Sequence, residues 1–372
     1  MDIKAILAKA IEVSASDVHI NVGLKPIIRK NTALIDMEFP VVSESDAKAM
    51  VIGMAGEEKF KKFQEAKDLD FSTSISSGHR FRVNAHYQRD TIALSFRVIA
   101  NKIPLLDDLH LPAIVKELTD LPRGLVLVTG HTGSGKSTTL AAMINAINAK
   151  SRERIITMED PVEYALANNM SMIEQREIGQ DCPTFASGLR HVLRQDPDII
   201  MVGEMRDLET TSSTITAAET GHLVFSTLHT VNAPQTVERI IDIYPSGQQN
   251  QIRTMLANTL QAVISQTLFR RVDKPGMVPA TEILLCTSAV RNCIRENRIF
   301  EIPNIIETSR RIGMMTMDNS IADMYFNGFI DREEAVTRST NPGKMDKVLA
   351  SGEGSKIGIK GKAQEAELVG NR

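Results

Sequence analysis

The chain has 372 residues, 42% hydrophobic and 24% charged. Those are ordinary proportions for a folded protein of two or three domains, and they exclude wholesale disorder. Lysine and arginine nearly balance aspartate and glutamate at a formal net charge of −3, so no overall basic field marks a nucleic-acid binder. Cys182, Cys286 and Cys293 are too few and too scattered for a disulfide framework or a four-cysteine zinc site, which fits a reducing compartment.

In chain order, Ile3, Ile6, Leu7, Ala10 and Ile11 recur three and four residues apart and predict an amphipathic helix. Glu12 and Ser14 end it with no basic cluster beside it, so it should dock on its own domain rather than on a membrane. Phe81, Val83 and Ala85 alternate with Arg80, Arg82 and Asn84, and Ile92, Leu94 and Phe96 alternate with Ala93, Ser95 and Arg97. Both stretches predict half-buried strands of an antiparallel sheet. From Ile99 to Pro122, three prolines and Asp107-Asp108 suggest a linker with a short helix.

From Gly124 the texture changes. Leu125–Val128, Ile155–Met158, Ile199–Val202 and Leu223–Ser226 are continuous apolar runs separated by helical stretches. Such runs imply strands covered on both faces, hence a parallel α/β sheet. After Pro234 the spacing of Val237, Ile240, Ile241, Ile252, Met255, Leu256, Leu260 and Ile264 predicts helices. The most apolar stretch, Met255 to Phe269, is broken by polar residues well short of the roughly 18 apolar positions a membrane span needs. Beyond Gly343 a glycine- and lysine-rich tail shows no period and is expected to be disordered. The expected division is therefore 1–98, a linker 99–122, a catalytic domain 123–342 and a tail 343–372. A cytoplasmic location is expected, with any membrane association made through partners.

Gly130-His131-Thr132-Gly133-Ser134-Gly135-Lys136-Ser137 matches the phosphate-loop pattern, follows an apolar strand and opens a helix carrying Leu140, Met143, Ile144 and Ile147. Glycines turn the backbone so that successive N–H groups face phosphate oxygens, and the helix N-terminus adds partial positive charge. Lys136 is suited to the β and γ phosphates and the Ser137 hydroxyl to Mg²⁺; Thr138 completes the set expected to bind ATP. Asp198–Glu204 supplies a second buried strand with an acid one glycine beyond it. Glu204 there is placed to hold hydrated metal through water or to polarise the attacking water. Glu159-Asp160-Pro161-Val162-Glu163 crowds three acids at a strand end, where a nearby cation would stabilise them. His222 and His229 bracket the strand Leu223–Thr227, and His229, within Thr227-Leu228-His229-Thr230, is the candidate γ-phosphate sensor.

These blocks, in this order, resemble the secretion-superfamily ATPases, and within them the PilT-type motors that retract type IV pili. The matching stretches are Gly130–Ser137, Thr157–Glu163, Asp198–Asp207 and Thr220–Thr230, with Ala289-Val290-Arg291-Asn292-Cys293-Ile294-Arg295-Glu296 near the C-terminus. Ala15–His19 and Arg80–Asn84 are similar to parts of the family's N-terminal domain. The resemblance implies an N-terminal PAS-like α+β domain joined to a RecA-like P-loop ATPase domain with a helical C-terminal part. It also implies a homohexameric ring in which N-terminal arginines meet the phosphates; by position these are Arg82 and Arg97, with Arg80 a further candidate. Glu204, Glu163, His229, Arg82 and Arg97 are thus the expected catalytic set.

The implied partners are further copies of the chain, an inner-membrane pilus platform protein and a paralogous retraction ATPase, with no nucleic acid and no membrane insertion. The four-cysteine element of the assembly motors is missing, which favours retraction over assembly or type II secretion. The long tail leaves room for a PilU-like accessory role, and a conjugation-type, nucleic-acid-moving ATPase is the reading from another class.

Overall fold

The computed structural model describes residues 1–30, 33–75, 78–99 and 103–351. The chain divides into two units. The first comprises Met1–Ile103 together with Glu159–Ala167 and Gln175–Thr184, and the remainder forms the second.

In the first unit the expected helix is present over Ile3–Glu12, opened by the Asp2 side chain accepting from the Lys4 amide. Its stripe Ile3, Ile6, Leu7 and Ala10 is buried. Six strands follow: β1 Asp17–Asn21, β2 Ile27–Lys30, β3 Ala33–Asp36, β4 Asp68–Ser74, β5 Arg80–Gln88 and β6 Thr91–Val98. They form one antiparallel sheet in the order β3-β2-β1-β6-β5-β4. Helices Glu44–Ala55 and Glu57–Ala66 bring Met50, Val51 and Phe63 into a core with Val18, Ile20, Phe81, Val83, Leu94 and Phe96. Burial of a large apolar side chain contributes about 1.5–3 kcal/mol, so this face secures the sheet and leaves the alternate residues to other work.

A seven-stranded sheet makes up most of the second unit, with Glu159 and Gln175–Glu177 at its margin counted in the first: β7 Gly124–Thr129, β8 Arg154–Glu159, β9 Met172–Glu177, β10 Ile199–Val202, β11 Leu223–Leu228, β12 Leu260–Arg270 and β13 Met277–Leu285. Their order is β13-β12-β7-β11-β10-β8-β9. The pairs β12/β7, β7/β11, β11/β10 and β10/β8 are parallel, and β13 runs antiparallel to β12. Every residue of β7, β10 and β11 is buried, as the unbroken apolar runs require. Helices Lys136–Lys150, Phe185–Val192, Leu208–Glu219, Ala233–Asp242 and Gln249–Thr259 connect the strands. After β13 the chain is helical, from Ser288–Arg295 through Pro342–Ser351. No helix among the described residues is long and apolar enough to cross a membrane.

Three expectations need correction. Leu260 and Ile264 are not helical: the helix ends at Thr259 and both residues lie on β12. β12 carries apolar residues on both of its faces, among them Leu260, Ala262, Val263 and Ile264, so it satisfies a four-residue spacing by accident. The stretch expected as a linker packs into the second unit from Pro104 onward, with Leu106, Val115 and Leu118 buried. The tail is not disordered from Gly343. Pro342–Ser351 is a helix that buries Met345 and Leu349 against Phe269, Ile321 and Ile330, while 352–372 lie outside the described residues.

Candidate nucleotide site

The loop Gly130–Gly135 leaves the C-terminal end of β7 and enters the helix Lys136–Lys150. In a parallel sheet this is the edge where ligands bind. Gly130 has φ 139°, and a Cβ there would stand 2.3 Å from the Gln266 carbonyl oxygen and 2.6 Å from Ser134 Oγ, so only glycine fits. Gly135, at φ 89°, precedes a helix N-terminus that no side chain caps. That end is open to an anion. Lys136 is buried, and its ammonium donates to the carbonyl oxygens of Gly130 (2.9 Å) and His131 (3.0 Å). The charge is thereby held at the mouth of the loop, with His131, Thr132 and Gly133 exposed above it and Ser137 and Thr138 half-buried in the first helical turn.

Register places the second half of the site. Leu228 pairs with Thr129, so His229 and Gly130 are the next residues along their strands. Val202 pairs with Ser226, which pairs with Leu127, so Glu204 emerges from β10 two steps further along the same edge. At about 4.8 Å between neighbouring strands, β10 lies roughly 10 Å from β7 across the sheet, a span that a nucleotide's phosphates and their metal fill. Gly203 is fixed by its amide donating to the Met158 carbonyl at 2.7 Å and by Thr227 Oγ1 donating to its own carbonyl at 2.6 Å.

Glu204 Oε1 lies 3.0 Å from His229 Nε2 and 2.7 Å from Arg206 Nε. Burial pushes its carboxyl upward, but the Arg206 hydrogen bond and the charges of His229 and Arg206 together outweigh burial and hold it below the ordinary glutamate value. An ionised, cornered carboxylate results. Arg206 was the partner that sequence reasoning left without a role. Its neighbour Asp207 caps the next helix by accepting from the Thr210 amide at 2.8 Å, an arrangement worth about 1 kcal/mol.

His222 is separated from this group. It precedes the opposite end of β11, where Nδ1 pairs with the Ala217 carbonyl (2.9 Å) and Thr220 Oγ1 (3.2 Å). Of the two bracketing histidines only His229 stands at the phosphate edge.

The remaining candidates belong to the first unit. Glu163 is exposed, and its amide donates to Glu159 Oε2 at 3.3 Å. Glu159 itself is buried, and Gln175 Nε2 donates to its Oε1 at 3.0 Å. Across the sheet a single row reads Arg29, Asp17, Arg97, Arg82, Ser72, each directly opposite the next. Arg82 and Arg97 therefore stand directly opposite each other on neighbouring strands, both exposed. Like charges set opposite each other are unfavourable unless an anion joins them. Asp17 answers only part of that charge, accepting from Arg97 Nε at 3.0 Å. Arg80 is different: its Nη2 donates to Glu177 Oε2 and to Ser72 Oγ, both at 3.1 Å, with Glu177 buried. It is a structural ion pair within the unit.

Gln266 of β12, buried against the loop, was missed altogether because its segment was read as helix. The signal available was the polar triplet Ser265-Gln266-Thr267 set between the apolar stretches Ala262–Ile264 and Leu268-Phe269.

Fold and loop together define a phosphate-loop ATPase: an N-terminal α+β domain joined to an ATPase domain with a helical C-terminal part, as the sequence led one to expect. Residues 102–330 match the model of the family described as "Type II/IV secretion system protein". The type IV pilus retraction ATPase PilT of Pseudomonas aeruginosa is 41% identical over 92% of this chain and 99% of its own length. The type IV pilus ATPase PilU of the same organism is 35% identical over 95% of this chain and 92% of its own. A crystal structure of the pilus retraction motor PilT with bound ADP superposes with a TM-score of 0.86 at 41% identity, covering 93% of this chain and 99% of that one. The chain belongs to the Type II/IV secretion system protein family.

Proposed function

We propose that the chain is a homohexameric motor that couples Mg²⁺-ATP hydrolysis to retraction of a type IV pilus. It would work in the cytoplasm at the inner membrane, held there by a pilus platform protein. The observation that carries this reading is end-to-end similarity to PilT, at 41% identity over 99% of that protein, joined to an intact phosphate loop.

In the proposed reaction the loop amides and Lys136 hold the β and γ phosphates. Glu204, kept ionised by Arg206 and His229, orients a water toward the γ-phosphorus. The water oxygen bonds to phosphorus as the bond to the bridging oxygen breaks, the water's proton passes to a γ-phosphate oxygen, and ADP and inorganic phosphate leave. Ser137 and Glu204 offer the hard oxygen donors that Mg²⁺ takes, and the ion, when bound, neutralises phosphate charge. His229, hydrogen-bonded to Glu204 Oε1, would register loss of the γ-phosphate through that carboxylate. Arg82 and Arg97 are assigned to phosphate charge because they face each other on an exposed surface, and Glu163 is a second acid for the site.

Loss of the chain from its cell tests the reading. A retraction motor's absence leaves cells piliated but unable to twitch, whereas bald cells would contradict it and point to assembly. Near-zero turnover by the purified chain with normal nucleotide binding would instead assign the accessory role that PilU suggests. A mobility shift with DNA would favour the nucleic-acid reading.

A further inference from the structure

We infer that Gln266 is a positioning residue for the phosphate loop, setting the direction of the amide that the loop presents to phosphate. The inference rests on the loop being the nucleotide site. β12 runs parallel to β7 and pairs Ser265 with Thr129, so Gln266 comes level with Gly130, where the chain leaves the sheet. Gln266 is 2% exposed and meets the loop at three points. Its carbonyl oxygen closes on Gly130, its Nε2 donates to the Ser134 carbonyl at 2.8 Å, and the same nitrogen lies 3.1 Å from where a Cβ on Gly135 would stand.

The middle contact has a directional consequence. In a planar trans peptide the carbonyl and the following N–H point to opposite sides. Drawing the Ser134 carbonyl onto Gln266 therefore turns the Gly135 N–H away from β12, toward the hollow of the loop, where an anion is held by such groups. The strand is fixed on both sides of Gln266. Thr129 Oγ1 donates to Ser265 Oγ at 2.8 Å, and Arg338 donates to the Leu268 carbonyl (2.9 Å) and Thr267 Oγ1 (3.0 Å) while lying 3.8 Å over the Phe269 ring.

The carboxamide is not there for its other end. Gln266 Oε1 is buried without a hydrogen-bond partner among the described residues, as is Ser134 Oγ. An orphaned acceptor of this kind is a cost that an apolar residue of the same size would avoid. What glutamine contributes, and leucine would not, is the donor to Ser134.

The test uses the full chain, a non-hydrolysable ATP analogue and three forms: unmodified, Gln266→Leu and Gln266→Glu, each compared with the unmodified chain at the same pH. Gln266→Leu should weaken binding about tenfold at every pH, the effect of losing one buried hydrogen bond. In hydrolysis the loss should appear in KM, with kcat changed by less than about threefold. Gln266→Glu keeps the shape but cannot donate when ionised, so it should bind weakly at about pH 8 and recover as the buried carboxyl protonates and regains an O–H donor. That recovery is something a merely space-filling role would not produce, and it decides the matter if the leucine form does not fold. Unchanged affinity in Gln266→Leu, or a loss in Gln266→Glu that acidification does not relieve, would overturn the inference. Failure of the unmodified chain to bind the analogue would instead overturn the nucleotide site on which it rests.

Discussion

The two sheets of this chain place chemistry in different ways. The six-stranded antiparallel sheet buries one face, so every second residue is free to act, and Arg82 and Arg97 occupy such positions. The seven-stranded sheet is covered on both faces through β7, β10 and β11. There the candidate residues lie just past the strand ends: Gly130 after β7, Glu204 after β10 and His229 after β11. A half-buried sheet works from its face, and a fully buried one from its edge.

The edge can be broken most completely at Lys136. Its ammonium is the charge lodged in the loop, so Lys136→Ala should weaken ATP binding by about a hundredfold or more, as read by calorimetry. The face makes a sharper claim, because its arginines should separate by role. Arg82→Ala should slow turnover about a hundredfold while leaving unfolding free energy within about 0.5 kcal/mol. Arg80→Ala should do the reverse. It takes the cation from the buried Glu177 carboxylate, leaving the neutral donors Val162 N–H and Gln180 Nε2, and should cost about 3 kcal/mol in denaturant unfolding. If both variants lost stability alike, the face would be structural and the contrast with the edge would fail.

The smallest expected effect is a pH dependence. Glu204 is held below its ordinary value, so it stays ionised, and its contribution to stability persists, until pH falls through that lowered value. Arg206→Ala removes the main opposing influence and leaves burial, which raises the carboxyl, opposed by His229 alone. The acid limb of the kcat/KM profile should then move to higher pH, and a limb that stayed in place would detach Glu204 from it.

What could be read from the sequence follows the same division. Alternation exposed β5 and β6, and unbroken apolar runs exposed β7, β8, β10 and β11, because each has one period and clear ends. The loop was legible because glycines and lysine at fixed spacing have few other uses. β12 was not, since Leu256, Leu260 and Ile264 fit a helix as well as a buried strand, and Gln266 was hidden with it. The helix Pro342–Ser351 was missed because only Met345, Val348 and Leu349 mark its packed side, too short a pattern to set a period. Arg206 was present in the sequence, but its bond to Glu204 depends on how the turn after β10 folds back.

The central claim is that the carboxylate after β10 drives cleavage of a triphosphate gripped after β7. Binding and hydrolysis of ATP measured side by side on Glu204→Gln test it most directly. The account predicts affinity within about threefold of the unmodified chain and turnover reduced about a hundredfold or more. Undiminished hydrolysis by that variant would contradict it.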